Sequence, residues 1–365
     1  MDSLLNIAKS AGDEFKFILM NKNTEVLTFK YVYEDGDYYF EEIEVLGLLP
    51  LCYTDVDSWI RSRRSPISRK RLRNINKNVT MLEYIKVVHA VSLNDTYWIK
   101  ELGSDLTWSD VSPYSNMITD LVSEEVIGSV SPELSTNGVY PKCWMNIDNG
   151  IYLIKGGSKD CNYIEPILEV YASIVYNTIC SDSVEYQRHY GFSMHTDKCK
   201  LFTSENLGMV SIASYLNKNT ATIKEIRECM SKIGGEHSVK LFNEMLVADA
   251  VVMNTDRHLG NIGLYIENDT QKLLGMAPVF DYNRALLPEL TQDIYTDEKR
   301  YNDFLRNQIP RLGTSFFDVA KALLNKDISE KLTRLKDIVI NTDTGTGRIS
   351  ICNGLIIRNI DKILN

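Results

Sequence analysis

No stretch of this sequence approaches the roughly 18 uninterrupted apolar residues that a membrane-crossing helix needs, so no span is expected. The opening residues Met1-Asp2-Ser3-Leu4-Leu5-Asn6 have neither a basic start nor a long apolar core. No secretory leader is expected, and the cytoplasm is the expected compartment. Cysteine is sparse and odd in number: seven residues lie between Cys52 and Cys352, none in a Cys-x-x-Cys pair. That pattern argues against a zinc site or a disulfide framework and for reduced thiols. The five histidines are equally dispersed, without metal-ligand spacing. Basic charge is in deficit. With 40 Lys and Arg against 49 Asp and Glu the chain carries a net charge of −9, which argues against general coating of nucleic acid. Internal repeats and low-complexity tracts are absent.

What is present is a chain of 365 residues, 44% apolar and 24% charged, long enough for two lobes plus an extension. Glu25–Tyr33 and Tyr38–Val45 flank the turn signal Glu34-Asp35-Gly36-Asp37 and predict a hairpin. Residues 80–100 carry Leu82, Ile85, Val88 and His89 at helical spacing. Asn149-Gly150 separates two short strands, Val139–Ile147 and Ile151–Lys155. Pro166–Cys180 predicts a helix with proline in its first turn. Strands are expected at Lys198–Phe202 and Met209–Ala213, and the chain then turns helical, with Phe242–Val252 apolar at helical spacing and a helical tail over 314–365. The expected division is an N-terminal extension (1–130), a β-rich small lobe (131–210) and a helical large lobe (211–365).

The densest chemistry lies between residues 254 and 281. Asn254-Thr255-Asp256-Arg257-His258-Leu259-Gly260-Asn261 leads into an apolar hairpin that closes at Pro278-Val279-Phe280-Asp281. An Asp and an Asn on one tight loop can divide two tasks on a phosphate. Asp256 can orient or deprotonate an acceptor hydroxyl, and Asn261 can bind a metal. Asp281, at the close of the hairpin, can complete the shell of a Mg²⁺ ion shared with ATP phosphates. Phosphoryl transfer needs this division, because its chemistry is mostly positioning and charge neutralisation. Taken singly, these are cap and turn residues; the joint pattern is read as functional. His258 either positions a phosphate or hydroxyl or hydrogen-bonds its own loop. Arg257 either pairs with a loop carboxylate or is structural.

The string Asp-Arg-His-x-x-Asn resembles the catalytic loop of phosphoinositide-3-kinase-like kinases, and the fuller pattern resembles the HipA family of bacterial serine/threonine kinases. Ser135-Thr136-Asn137-Gly138-Val139-Tyr140-Pro141-Lys142 resembles that family's nucleotide-covering loop, which implies ATP contacts at Gly138 and Lys142. Ile151–Lys155 resembles the strand carrying the phosphate-binding Lys. Glu165–Ser173 resembles the helix whose Glu pairs with it. Glu169 is preferred over Glu165, whose place in the first turn suits the helix dipole. A cation at the end of an apolar strand is costly unless it meets phosphate or carboxylate, which agrees with this role for Lys155. The resemblance spans roughly residues 130–340. It implies an α+β, two-lobed protein-kinase-like fold with a β-rich N-lobe and a mostly helical C-lobe, and transfer of the ATP γ-phosphate to a protein hydroxyl. It also implies autophosphorylation within the nucleotide loop, at Ser135 or, second, Thr136; a phosphate there would repel those of ATP. Two departures stand out. The loop has a single Gly138 in place of Gly-x-Gly-x-x-Gly, and Asp281 is followed by Tyr282-Asn283 in place of Phe-Gly. Phe202-Thr203-Ser204-Glu205 is either a lobe-crossing hinge, with Phe202 and Ser204 against adenine, or an ordinary loop.

Arg61–Lys77 holds eight Lys and Arg and no acid. It is read as a solvated helix face packed on acidic surface, ahead of a docking site for an acidic or antitoxin-like partner; nucleic acid is less favoured, because aromatics do not interleave the run. Trp98 and Trp108 are expected as core or interface anchors. The resulting expectation is a HipA-like serine/threonine kinase using ATP and Mg²⁺ on a protein substrate, in toxin–antitoxin growth control or as an effector delivered to a host cell. The alternatives are a phosphoinositide-type lipid kinase, and a catalytically inactive pseudokinase or nucleic-acid-binding module.

Overall fold

The computed structural model describes residues 15–34, 37–63, 81–116, 142–190, 195–341 and 347–365. Residues 64–77 of the basic run, and Ser135, Thr136 and Gly138, lie outside the described residues. Strands β1 (Phe15–Asn21), β2 (Thr24–Glu34), β3 (Asp37–Val45) and β4 (Tyr97–Glu101) form an antiparallel sheet in the order β3-β2-β1-β4. Phe17 and Leu19 of β1 face a core shared with helices α1 (Val56–Arg63) and α2 (Met81–Val88). Ile18 and Met20 face a second core with Trp98 and Trp108. β1 is thus buried on both faces, which is why it reads as a continuous apolar run instead of an alternation. The helical spacing of residues 80–100 holds only to Val88. His89 and Ala90 take left-handed φ values of 53° and 51°, which end the helix, and Tyr97-Trp98-Ile99 continues as a strand.

The second sheet has the order β5-β6-β8-β7, from β5 (Lys142–Ile147), β6 (Gly150–Gly156), β7 (Tyr186–His189) and β8 (Thr196–Lys200). Asp148 and Asn149 both have positive φ, 51° and 61°, as a two-residue hairpin turn requires. Helix α3 (Glu165–Ile179) packs beneath this sheet and carries Pro166 in its first turn. After a crossing segment, β9 (Leu207–Ser211), β10 (Gly263–Glu267) and β11 (Leu273–Met276) form a third sheet in the order β11-β10-β9. Helix α4 (Ile223–Val252) opens on a reciprocal Thr222–Glu225 capping box and kinks at Gly235. Helix α5 (Glu298–Arg306) joins the core around α4 through Leu305, and α6 (Phe316–Ala322) packs on α4. Helix α7 (Lys326–Asn341) packs on α3 and on α8 (Arg348–Leu364), which itself packs on α4. Leu168, Val175 and Tyr176 of α3 join the same large core as Leu241, Met245 and Val251 of α4.

The N-terminal sheet is docked on the crossing segment. Trp108 Nε1 and Ser112 Oγ each donate to Glu205 at 2.9 Å, Thr203 Oγ1 donates to the Leu93 carbonyl at 2.5 Å, and the Met209 amide donates to the Asn94 carbonyl at 2.7 Å. Lys22 pairs with Asp269 at 2.7 Å beyond it. Trp98 is core and Trp108 an interface anchor. In the basic run, Arg61 pairs with Asp57, and Arg63 is buried, with one guanidinium nitrogen donating to both Asp95 oxygens at 2.7 and 2.6 Å. All seven cysteines are free thiols. No helix among the described residues is long and apolar enough to cross a membrane.

Candidate active site

Strand β6 delivers Lys155 into the interior, where it is 6% exposed. Its ammonium lies 2.7 Å from Glu169 Oε1 and 2.9 Å from Asp281 Oδ1, and 4.8 Å over the Tyr186 ring. Burial alone would push the Lys155 pKa down. Asp281 and Glu169 outweigh it and hold the group charged, well above its ordinary value. Asp281 shows the converse balance: burial raises its pKa, but Lys155, then Lys142, outweigh this and bring it to about 2. Glu169 also accepts the Tyr282 amide at 2.9 Å, so one carboxylate fixes both Lys155 and the backbone after Asp281. Glu165, one turn earlier, is engaged elsewhere, accepting from Ser158.

Asp281 has a φ of 61°, a region that a non-glycine residue enters at a cost. Three contacts hold it there: its amide donates to Tyr186 Oη at 3.1 Å, its carboxylate meets Lys155, and Tyr282 stacks on Tyr176 with ring centres 3.9 Å apart. The loop at 254–261 is organised by Arg257, which is 2% exposed. Its guanidinium pairs with Asp249 of α4 at 3.1 Å and donates to the carbonyls of Asn261 at 3.1 Å and Phe280 at 2.6 Å. The open choice for Arg257 thus falls to a structural role, with a helix carboxylate as partner. It ties the residue before Asp281 to Asn261. Asn261 donates its amide to the Asp256 carbonyl at 3.2 Å, which leaves its side-chain oxygen as the available ligand atom. His258 Nδ1 accepts the Gly260 amide at 3.0 Å, capping a single 3-10 turn; in the neutral ring this puts the proton on Nε2. Asp256 pairs with Arg311 at 3.3 Å.

Lys142, Lys155, Phe202, Asn261 and Asp281 line one cavity of about 640 Å³, with Glu169 behind Lys155. The volume lies within the usual range for a small-molecule site. Phe202 packs its ring 5.6 Å from Phe280 at the floor. Ser204 does not line the cavity: its hydroxyl accepts the amides of Asn206 and Leu207, and Thr203 takes the lining position. Asp256 and His258 are not among the residues that line this cavity. The donor set fits a hard divalent cation: two oxygen-bearing side chains, Asn261 and Asp281, facing one cleft beside an ammonium.

Several residues escaped the sequence reading. Asp249 and Tyr176 anchor Arg257; the visible signal was a lone acid within the apolar run Leu246-Val-Ala-Asp-Ala-Val-Val252. Tyr186 carried no signal. Asp197 of β8 lies opposite Lys155 of β6 in the sheet and is fully buried. The far wall of the cavity comes from the N-terminal extension, through Tyr53, Trp59, Arg63, Leu93 and Asp95.

No protein-family model matches the sequence, and no curated protein matches it significantly. Solved structures do match. HipA of Shewanella oneidensis, from a toxin–antitoxin complex with HipB and operator DNA, superposes with a TM-score of 0.61 at 10% identity, covering 95% of this chain and 97% of that one. The Helicobacter pylori proinflammatory kinase CtkA superposes with a TM-score of 0.50 at 19% identity, covering 62% of this chain and 88% of that one. Mixed α/β architecture, a β-rich amino-terminal region and a helical carboxy-terminal part are common ground with both, and the chain has the HipA-like kinase fold.

Proposed function

We propose that the chain is an ATP-dependent serine/threonine protein kinase. The observation that carries this reading is the Glu169–Lys155–Asp281 chain of ion pairs in a cavity shared with Asn261. Lys155, held charged, would grip the nucleotide phosphates, with Glu169 fixing its position. Asn261 and Asp281 would hold Mg²⁺, which when bound neutralises phosphate charge during transfer. Phe202 and Thr203 would border the adenine. Asp256, outside the nucleotide cavity and on the same loop as Asn261, would orient the acceptor hydroxyl and receive its proton. His258 supports that loop through Gly260. Arg311 must release Asp256 or swing with the acceptor. Autophosphorylation at Ser135 or Thr136 belongs to the same reading. So do a cytoplasmic site of action and an antitoxin-like partner, the latter supported by the HipB that accompanies the HipA neighbour.

The test is transfer from γ-labelled ATP with Mg²⁺ to the chain itself and to protein acceptors, with phosphoinositide vesicles in parallel. Protein labelling should fall by about 100-fold or more in Lys155→Met and Asp281→Ala, with folding intact. Label appearing in the vesicles alone would replace the acceptor class. Equal labelling by both variants would overturn the site.

A further inference from the structure

A second cavity, of about 260 Å³, lies between the Ile309–Ser315 segment, α5, α6 and α8. Its base is apolar, from Met253, Leu305 and Phe316. Arg306, Arg358 and Lys362 line it, and none of its lining residues is an acid. Arg306 is paired with Asp303. Arg358 meets a neutral partner, donating to Asn302 Oδ1 at 3.0 Å. The Lys362 ammonium lies 4.3 Å over the Phe317 ring. Burial, then the neighbouring charges of Arg358 and Lys321, push the Lys362 pKa down. Arg358 and Lys362 thus meet at a concave site without a carboxylate partner among the described residues, in a chain whose net charge is −9.

We propose that this cavity is a binding site for a phosphate monoester, seated between the Arg358 guanidinium and the Lys362 ammonium. A planar fork beside a point charge suits a tetrahedral dianion. The volume admits a phosphoryl group with a few attached atoms and falls short of the roughly 300–1,000 Å³ of sites for larger ligands. The phosphate can belong to a small molecule or to a phosphorylated residue of a polypeptide. Arg358 and Lys362 lie outside the proposed active site, so the site stands or falls independently of kinase activity.

The experiment is site-resolved amine acetylation of the full chain, read by mass spectrometry. Lys362 is compared with Lys326, whose side chain is 92% exposed. Labelling of the two lysines in phosphate-free buffer sets the reference rates. Inorganic phosphate or a phosphoserine peptide, against chloride at matched ionic strength, should slow Lys362 by about tenfold and leave Lys326 unchanged. In Arg358→Ala the protection should shrink to less than about twofold. Protection by the peptide alone assigns the phosphate to a polypeptide; protection by both extends the site to free phosphate. Undiminished labelling with both probes, equal protection by the unphosphorylated peptide, or full protection retained in Arg358→Ala would overturn the site. Circular dichroism of Arg358→Ala checks that its fold is retained.

Discussion

Asp197 is the residue whose chemistry is least expected from its surroundings. It is fully buried, and neither carboxylate oxygen meets a protein donor. Burial first, then the Glu169 carboxylate, push its pKa well above the ordinary value, against the opposing pull of Lys155. Protonated, Asp197 can donate toward Glu169, which leaves a Glu169 oxygen to serve Lys155. A carboxyl with a raised folded-state pKa binds its proton in the folded chain after the unfolded chain has lost it. Its contribution to stability is therefore complete below the unfolded value of 3.8 and declines as pH rises toward the folded pKa. Asp197→Asn supplies the donor without the titration. It should stabilise the protein near neutral pH by about 1–3 kcal/mol and flatten the fall in stability as pH rises from the unfolded value of 3.8 toward neutrality. Urea unfolding across that range measures both; an unchanged slope would mean that Asp197 is ionised. Arg257 makes the opposite case. With its partner Asp249 only 5% exposed, removing one charge strands the other. Arg257→Leu should cost about 3–5 kcal/mol, and the double variant with Asp249→Leu should recover much of that loss in the same unfolding measurement.

At the level of elements, much of the local structure was legible. The β2–β3 hairpin, the β5–β6 hairpin and helix α3 formed near where turn dipeptides, alternation and a first-turn proline place them. Where reading failed, a long-range partner decided. β4 is a strand because β1 offers it an edge, with Leu19 opposite Ile99. β7 is four residues that only β8 organises. The kink of α4 is legible afterwards in Gly234-Gly235. Gly235 has φ 62° and ψ −150°, a conformation open essentially to glycine, and a Cβ on Gly234 would come within 2.7 Å of the Gly275 backbone. Gly235→Ala should therefore destabilise by about 1–3 kcal/mol by forcing the backbone, as seen in chemical denaturation. A neutral outcome would show that α4 tolerates a straight path.

For the whole molecule, the loop Asp256–Asn261 and its return to Asp281 stand out in the sequence because their spacing is local, while the cavity's far wall does not. That wall belongs to residues more than a hundred positions upstream, and only packing brings Leu93 and Asp95 to the crossing segment. Composition offers hints, such as tryptophans at positions 98 and 108, but does not say what they cover. The consequence is that the N-terminal sheet is part of the cleft's architecture. Glu205 is the joint. It accepts from both Trp108 Nε1 and Ser112 Oγ, so its loss leaves two donors without their acceptor at one interface. Glu205→Ala should loosen the docked sheet at a cost of about 1–3 kcal/mol, without touching Lys155, Asn261 or Asp281. Hydrogen exchange should speed at Thr107–Ser112 and at Thr203–Met209, while α3 and α4 stay protected. Nucleotide affinity should weaken with the wall. If exchange accelerates and affinity holds, the N-terminal sheet merely abuts the cleft and the nucleotide is held by the lobes alone.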